Sequence, residues 1–134
     1  MEDIIELLKE NNQPVPVPLE LPDDDDLVEI EEEILISLPD EYKYFLMEVS
    51  DVVYGSLEPA TVMDPQSHTY LPDMAAHAWD IGMPREYIPI CNHEDGFYCI
   101  TQEGEILFWS RSSEAIEDEW PSIWNWAKDV WLES

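Results

Sequence analysis

Apolar positions along this chain follow a helical period first, then an alternating one, then a helical one again. In residues 2–10, Ile4, Ile5, Leu7 and Leu8 gather on one side of a helix, behind Glu2 and Asp3 at the end where a helix is partially positive. A helix this short is marginal alone and must dock or fray. NNQPVPVPLELP then places proline at 14, 16, 18 and 22, which breaks helix and suits a central strand badly. It predicts an extended connector, whose valines fit a strap across a surface at least as well as a polyproline ligand. In LVEIEEEI, Leu27, Ile30 and Ile34 return to the helical period, with Asp26 placed to cap the segment. ISLPDEYKYFLMEVSD predicts the clearest helix. Pro39 opens it, Asp40 and Glu41 follow, and Tyr42, Phe45, Leu46 and Val49 form the buried stripe.

VVYGSLE, residues 52–58, predicts a strand with a bend at Gly55, and TVMDPQSHTYLPD a loop. From Pro72 to Gly82 a short helix turns Met74, Ala75, Ala78 and Trp79 inward, with Gly82 and Pro84 as its stop. Tyr87–Ile90 predicts a strand in which Pro89 calls for an edge or a bulge, and Asn92–Gly96 a turn. Phe97–Thr101 and Glu105–Ser110 alternate around Gln102-Glu103-Gly104, as a hairpin does, and carry apolar groups on both faces. RSSEAIEDEWP reads as a linker. In the terminal helix Ile123, Trp124, Ala127 and Trp131 face the core, while Trp126 falls off that stripe and is expected to be exposed. Together these elements predict an α+β fold, a mostly antiparallel sheet of several strands with helices packed around it, in a single domain. Residues 1–26 form an N-terminal helix and Pro-rich acidic arm, a candidate mobile or partner-contacting element, and residues 27–134 form the α+β domain.

Charge changes the picture more than composition does. The 134 residues are 45% hydrophobic and 11% aromatic, enough for a core, yet 5 basic residues face 32 acidic ones, a net charge of −27. Residues 1–50 hold 16 acidic and 2 basic residues, a net of −14, so about half the excess lies in the first third. Such a surface repels nucleic acid and anionic membranes and attracts basic proteins, although solubility or a saline habitat accounts for the charge at least as well as a specific basic partner does. Asp23–Asp26 lacks the alternating oxygen ligands and mid-loop glycine of a calcium loop and reads as the solvated start of a helix.

Candidate chemistry is sparse. Cys91, His93 and Cys99 are the one imaginable metal or nucleophile cluster, but they match no zinc spacing and lack a third orienting group. The cysteine spacing allows a disulfide. A chain with this much core needs none, which favours two buried thiols. With four glycines and no GxGxxG or HExxH, the chain offers no phosphate cradle or zinc helix. No catalytic residue, cofactor or metal is expected. MEDIIELLKE lacks a signal peptide's basic start and apolar run, which points to the cytoplasm.

The order of these segments resembles the SUKH superfamily, which includes fungal cell-wall-synthesis regulators and bacterial immunity proteins. Leu38, Pro39, Asp40, Tyr42, Phe45 and Leu46 match its lead-in to a helix, and Ile88 and Pro89 its isoleucine-proline strand. Gly96 and Tyr98 match the next strand, and Phe108 and Trp109 its aromatic pair. The likeness covers roughly residues 27–133. It departs where Ser50-Asp51-Val52-Val53 replaces the usual glycine pair and where Thr101 replaces an aspartate. The resemblance implies an α+β fold and binding rather than catalysis, in the manner of an immunity protein that sequesters a basic toxin domain such as a nuclease. A regulatory or scaffold module without a toxin is the alternative, and an enzyme or metal protein using Cys91, His93 and Cys99 a distant third. The nominated partner contacts are Asp23, Asp24, Asp25, Asp26, Glu29, Glu31, Glu32, Glu33 and Trp126.

Overall fold

A computed structural model describes residues 2–16 and 20–134. Residues 17–19 of the expected connector lie outside the described residues. Four helices precede the sheet: α1 (Glu2–Glu10), α2 (Asp24–Ile34), α3 (Asp40–Val49) and α4 (Leu71–Asp80). Strands β1 (Ile88–His93), β2 (Gly96–Ile100), β3 (Ile106–Ser110) and β4 (Ala115–Trp120) follow, then α5 (Ile123–Trp126) and a π-helical turn over Ala127–Trp131. The expected single α+β domain with an antiparallel sheet is what forms. The helical stripes also land where expected: Tyr42, Phe45, Leu46 and Val49 of α3 are buried, as are Leu27, Ile30 and Ile34 of α2. In α1, Ile5 and Leu8 enter the core while Leu7 stays exposed.

The sheet has the order β1-β2-β3-β4, antiparallel throughout. β1 is an edge strand with a bulge between Pro89 and Cys91, as its proline requires. That edge is covered, because the Ala60 N–H donates to the Ile90 carbonyl at 2.7 Å. Cross-strand partners share a face, so the register divides the side chains. Phe97, Cys99, Leu107 and Trp109 lie on one face, against α4, where the rings of His77 and Phe97 stand 6.1 Å apart. Cys91, Tyr98 and Phe108 lie on the other, where Tyr98 meets Trp126 at 5.5 Å. Helical segments therefore cover both faces.

Several sequence expectations fail for physical reasons, and the expected turn Asn92–Gly96 shrinks to the two residues Glu94 and Asp95 because β1 runs on to His93 and β2 starts at Gly96. Residues 52–58 form no strand. Gly55 adopts a φ of 63°, which turns the chain sharply, and Val53 bonds to the connector through Gln13 N–H at 2.7 Å and Asn12 Oδ1 at 2.8 Å. The supposed linker contains β4, whose side chains are nearly all exposed. Its strand conformation comes from the ladder with β3 and not from an apolar pattern. Trp126 is fully buried rather than exposed. The Leu132 N–H bonds the Ala127 carbonyl at 2.8 Å, five residues back, and that wider turn brings Trp126 and Trp131 to the same side, 6.3 Å apart.

Candidate partner-binding surface

Helix α2 owes its start to its aspartates. Asp23, not Asp26, is the N-cap: its carboxylate accepts from Asp26 N–H at 2.9 Å, while the Asp26 carboxylate accepts from Asp23 N–H at 3.0 Å. This reciprocal box occupies two of the four carboxylates in the run. Asp24 and Asp25, in the first helical turn, point into solvent.

Further along α2 the nominated acids divide again. Glu31 faces inward, where Oε2 accepts from Leu38 N–H at 2.7 Å and lies 3.5 Å from Lys43 Nζ. Glu33 accepts from the Tyr70 hydroxyl at 3.5 Å, and burial first, then this carboxylate, raises the Tyr70 pKa. Glu29 and Glu32 are exposed and make no side-chain bond among the described residues. Asp23 and Glu33 are exposed as well but bonded within the chain, so Asp24, Asp25, Glu29 and Glu32 are the nominated carboxylates that are exposed and make no side-chain bond among the described residues. Trp126 leaves the set because the core encloses it.

Basic side chains do little to neutralise this surface. Lys9 pairs with Glu48 at 3.2 Å and Lys43 with Glu31. Arg85 lies 4.0 Å from the ring centroid of Trp79 and Arg111 5.7 Å from that of Phe97. Among the described residues, Lys128 is the one basic side chain without an acidic, carbonyl or aromatic partner. β4 adds Glu117, Asp118 and Glu119, all exposed, with Glu117 held by the Ser113 hydroxyl at 2.8 Å.

Sequence reasoning missed one feature here. Leu35, immediately after α2, is 80% exposed at a φ of 61°, and Val28 two turns earlier is 48% exposed. The run Ile34-Leu35-Ile36 carried the signal, since three successive apolar residues cannot all face one core.

The thiols do not converge. Cys91 pairs with Tyr98 and Cys99 with Leu107, which sets them on opposite faces of the sheet, and both are free and buried. Burial pushes each thiol up to about 12, which keeps it from acting as a thiolate near neutrality. The His93 ring packs edge-on to Phe108 at 5.2 Å. Among the described residues, no group of three His, Cys, Asp or Glu side chains is placed to hold a metal.

A cleft of ≈ 270 Å³ lies elsewhere, walled by Val52, Leu57, Pro59 and Trp131, with the His68–Glu58 pair at its rim. Its hydroxyls bond to one another: Thr61 to Thr69 at 2.7 Å and Ser67 to Thr69 at 2.8 Å. No hydrogen bond joins Ser67 to His68 among the described residues. No helix among the described residues is long and apolar enough to cross a membrane.

An antiparallel sheet between helical layers, with its aromatics inside and its carboxylates outside, defines an α+β scaffold. More specifically, the chain belongs to the SUKH_5 family, described as SMI1-KNR4 cell-wall, whose model matches residues 1–132. The match takes in α1 and the proline connector as well as the later elements. A crystal structure of a protein from Pseudomonas syringae pv. tomato is similar over 100% of both chains, at 59% identity with a TM-score of 0.95. No curated protein matches the chain.

Proposed function

We propose that this protein is an immunity-type binding protein that sequesters a cognate, basic toxin domain such as a nuclease, in the cytoplasm and without catalysis of its own. The observation that carries the reading is the row of open carboxylates on α2, Asp24, Asp25, Glu29 and Glu32, on a chain of net charge −27. A nuclease domain must present cationic surface to phosphate. A carboxylate-rich face complements that surface, speeds encounter and covers the substrate channel. The same charge argues against direct contact with nucleic acid or anionic membrane.

The test is to look for a secreted polymorphic protein encoded beside this gene and to co-express its C-terminal domain with this chain. A stoichiometric complex, with loss of the domain's toxicity and protected growth, is expected. A toxic domain that neither binds nor is silenced would overturn the reading. The second reading is a regulatory or scaffold module without a toxin. The family description's reference to the cell wall favours it, as would a neighbouring region with no secreted polymorphic protein.

A further inference from the structure

We propose that Leu35 is the apolar anchor of the α2 surface, set in an acidic rim and matched by a basic protein that presents an apolar helix face. The proposal rests on the basic-partner reading and deepens it by naming the residue on which the contact centres.

Leu35 breaks two local rules at once. A side chain at positive φ is disfavoured, and the position after a helix is where glycine is favoured for that reason. A large apolar residue left 80% exposed also gains almost nothing from burial within its own chain. Among the described residues Leu35 is not packed against the core cluster, and the bond from its N–H to the Glu31 carbonyl at 2.9 Å is one that glycine would make equally well. Residues that defy local preference without an internal return are expected where function selects them.

The surroundings say what fits. Val28, Ile36 and Leu35 share a shallow depression with Glu31, Glu32 and Ser37. Ile34 is buried and Ile36 half-buried, so the chain is fastened on both sides of Leu35 and holds it outward. Asp25, Glu29 and Glu32 extend the rim along α2 beside Val28. A second copy of this chain would oppose −27 with −27. A basic protein gains attraction at the rim and burial at the centre, the arrangement in which a few central apolar residues dominate affinity.

The probe is a capped helical peptide of about fourteen residues, leucine on one face and lysine on the other, titrated into the full chain by fluorescence anisotropy. Leu35→Gly is expected to weaken probe binding by about tenfold. It should also raise the thermal midpoint by about 3 °C, because glycine accepts the left-handed backbone. Leu7→Ser, which alters an exposed leucine on α1, should leave probe binding unchanged. Affinity that does not fall in Leu35→Gly overturns the anchor, and so does a dimer of the parent chain that Leu35→Gly abolishes. Binding that ignores Leu35 yet disappears with the Asp24, Asp25, Glu29 and Glu32 charges leaves the basic-partner reading standing alone. No binding of the probe to the parent chain counts against both.

Discussion

The Glu31 carboxylate accepts the backbone N–H of Leu38 at 2.7 Å and so bridges the end of α2 to the lead-in of α3. Lys43 lies on the same oxygen at 3.5 Å. An acid of this kind stabilises the fold, whereas its neighbour Glu32 is exposed. Glu31→Ala should lower unfolding free energy by about 1.5–3 kcal/mol, the range for a hydrogen bond to a charged group. Glu32→Gln should change it by no more than about 0.5 kcal/mol. Urea denaturation of the two variants checks the contrast, and equal losses would refute it.

Gly96 sits against the backbone of Trp109, where a Cβ would collide with the Trp109 carbonyl. Its backbone is ordinary, so the requirement is for space and not for an unusual φ. Gly96→Ala must spread β2 from β3, and a cost of about 2–4 kcal/mol is expected, near that of an overpacked core site. Chemical denaturation measures it.

Trp126 is enclosed by Tyr98 at 5.5 Å and Trp131 at 6.3 Å. Trp126→Ala should therefore cost about 3–5 kcal/mol. A surface tryptophan would lose less than about 0.5 kcal/mol. Thermal melts of parent and variant distinguish the two.

The thiols set an alkaline limit. In the unfolded chain Cys91 and Cys99 ionise near 9.0, and in the folded chain burial pushes each up to about 12. Their contribution is intact below pH 9.0. Between these values the unfolded chain alone loses the protons, so stability falls as pH rises, by about 1.4 kcal/mol per pH unit for each thiol. Tyr42, raised above its ordinary 10.0 by burial and then by Cys91, adds a loss of the same sign at higher pH. A pH series of urea midpoints should be flat to about pH 8.5 and then drop. Cys99→Ala should make the drop shallower.

Salt should act in opposite senses on folding and on binding. Screening the repulsion within a chain of net charge −27 raises the thermal midpoint between low and high sodium chloride. The same screening slows association with the basic probe. An association rate indifferent to salt would remove electrostatic steering from the account.

What the sequence made legible followed from period. The α3 stripe and the β2–β3 hairpin carry strong apolar spacing, and Pro89 announced the bulged edge on which it lies. β4 was illegible because a strand held mainly by its ladder needs no apolar alternation, and AIEDEW has almost none. Trp126 was misplaced because a helical wheel assumes 3.6 residues per turn, while the chain widens to a five-residue hydrogen bond at Ala127. The acidic surface was visible as composition. Which carboxylates remain open was not, because Glu31 meets Leu38 and Lys43 only after α2 and α3 pack.

β4 forms the outer strand of the sheet; among the described residues none of its residues makes a backbone–backbone hydrogen bond beyond the ladder with β3, while the Glu119 N–H donates to the Asp118 carboxylate at 2.9 Å. An open row of amides and carbonyls is a template for end-to-end pairing of copies. Here Glu117, Asp118 and Glu119 crowd the edge with charge, Asp118 occupies one of its amides, and the ladder with β3 is bulged between Phe108 and Trp109. Net charge adds a second barrier to association, which vanishes for the whole chain at the sequence isoelectric point, ≈ 4.1. Loss of solubility on acidification is therefore expected to set in while the chain is still folded, which light scattering and circular dichroism recorded together across the pH range would check.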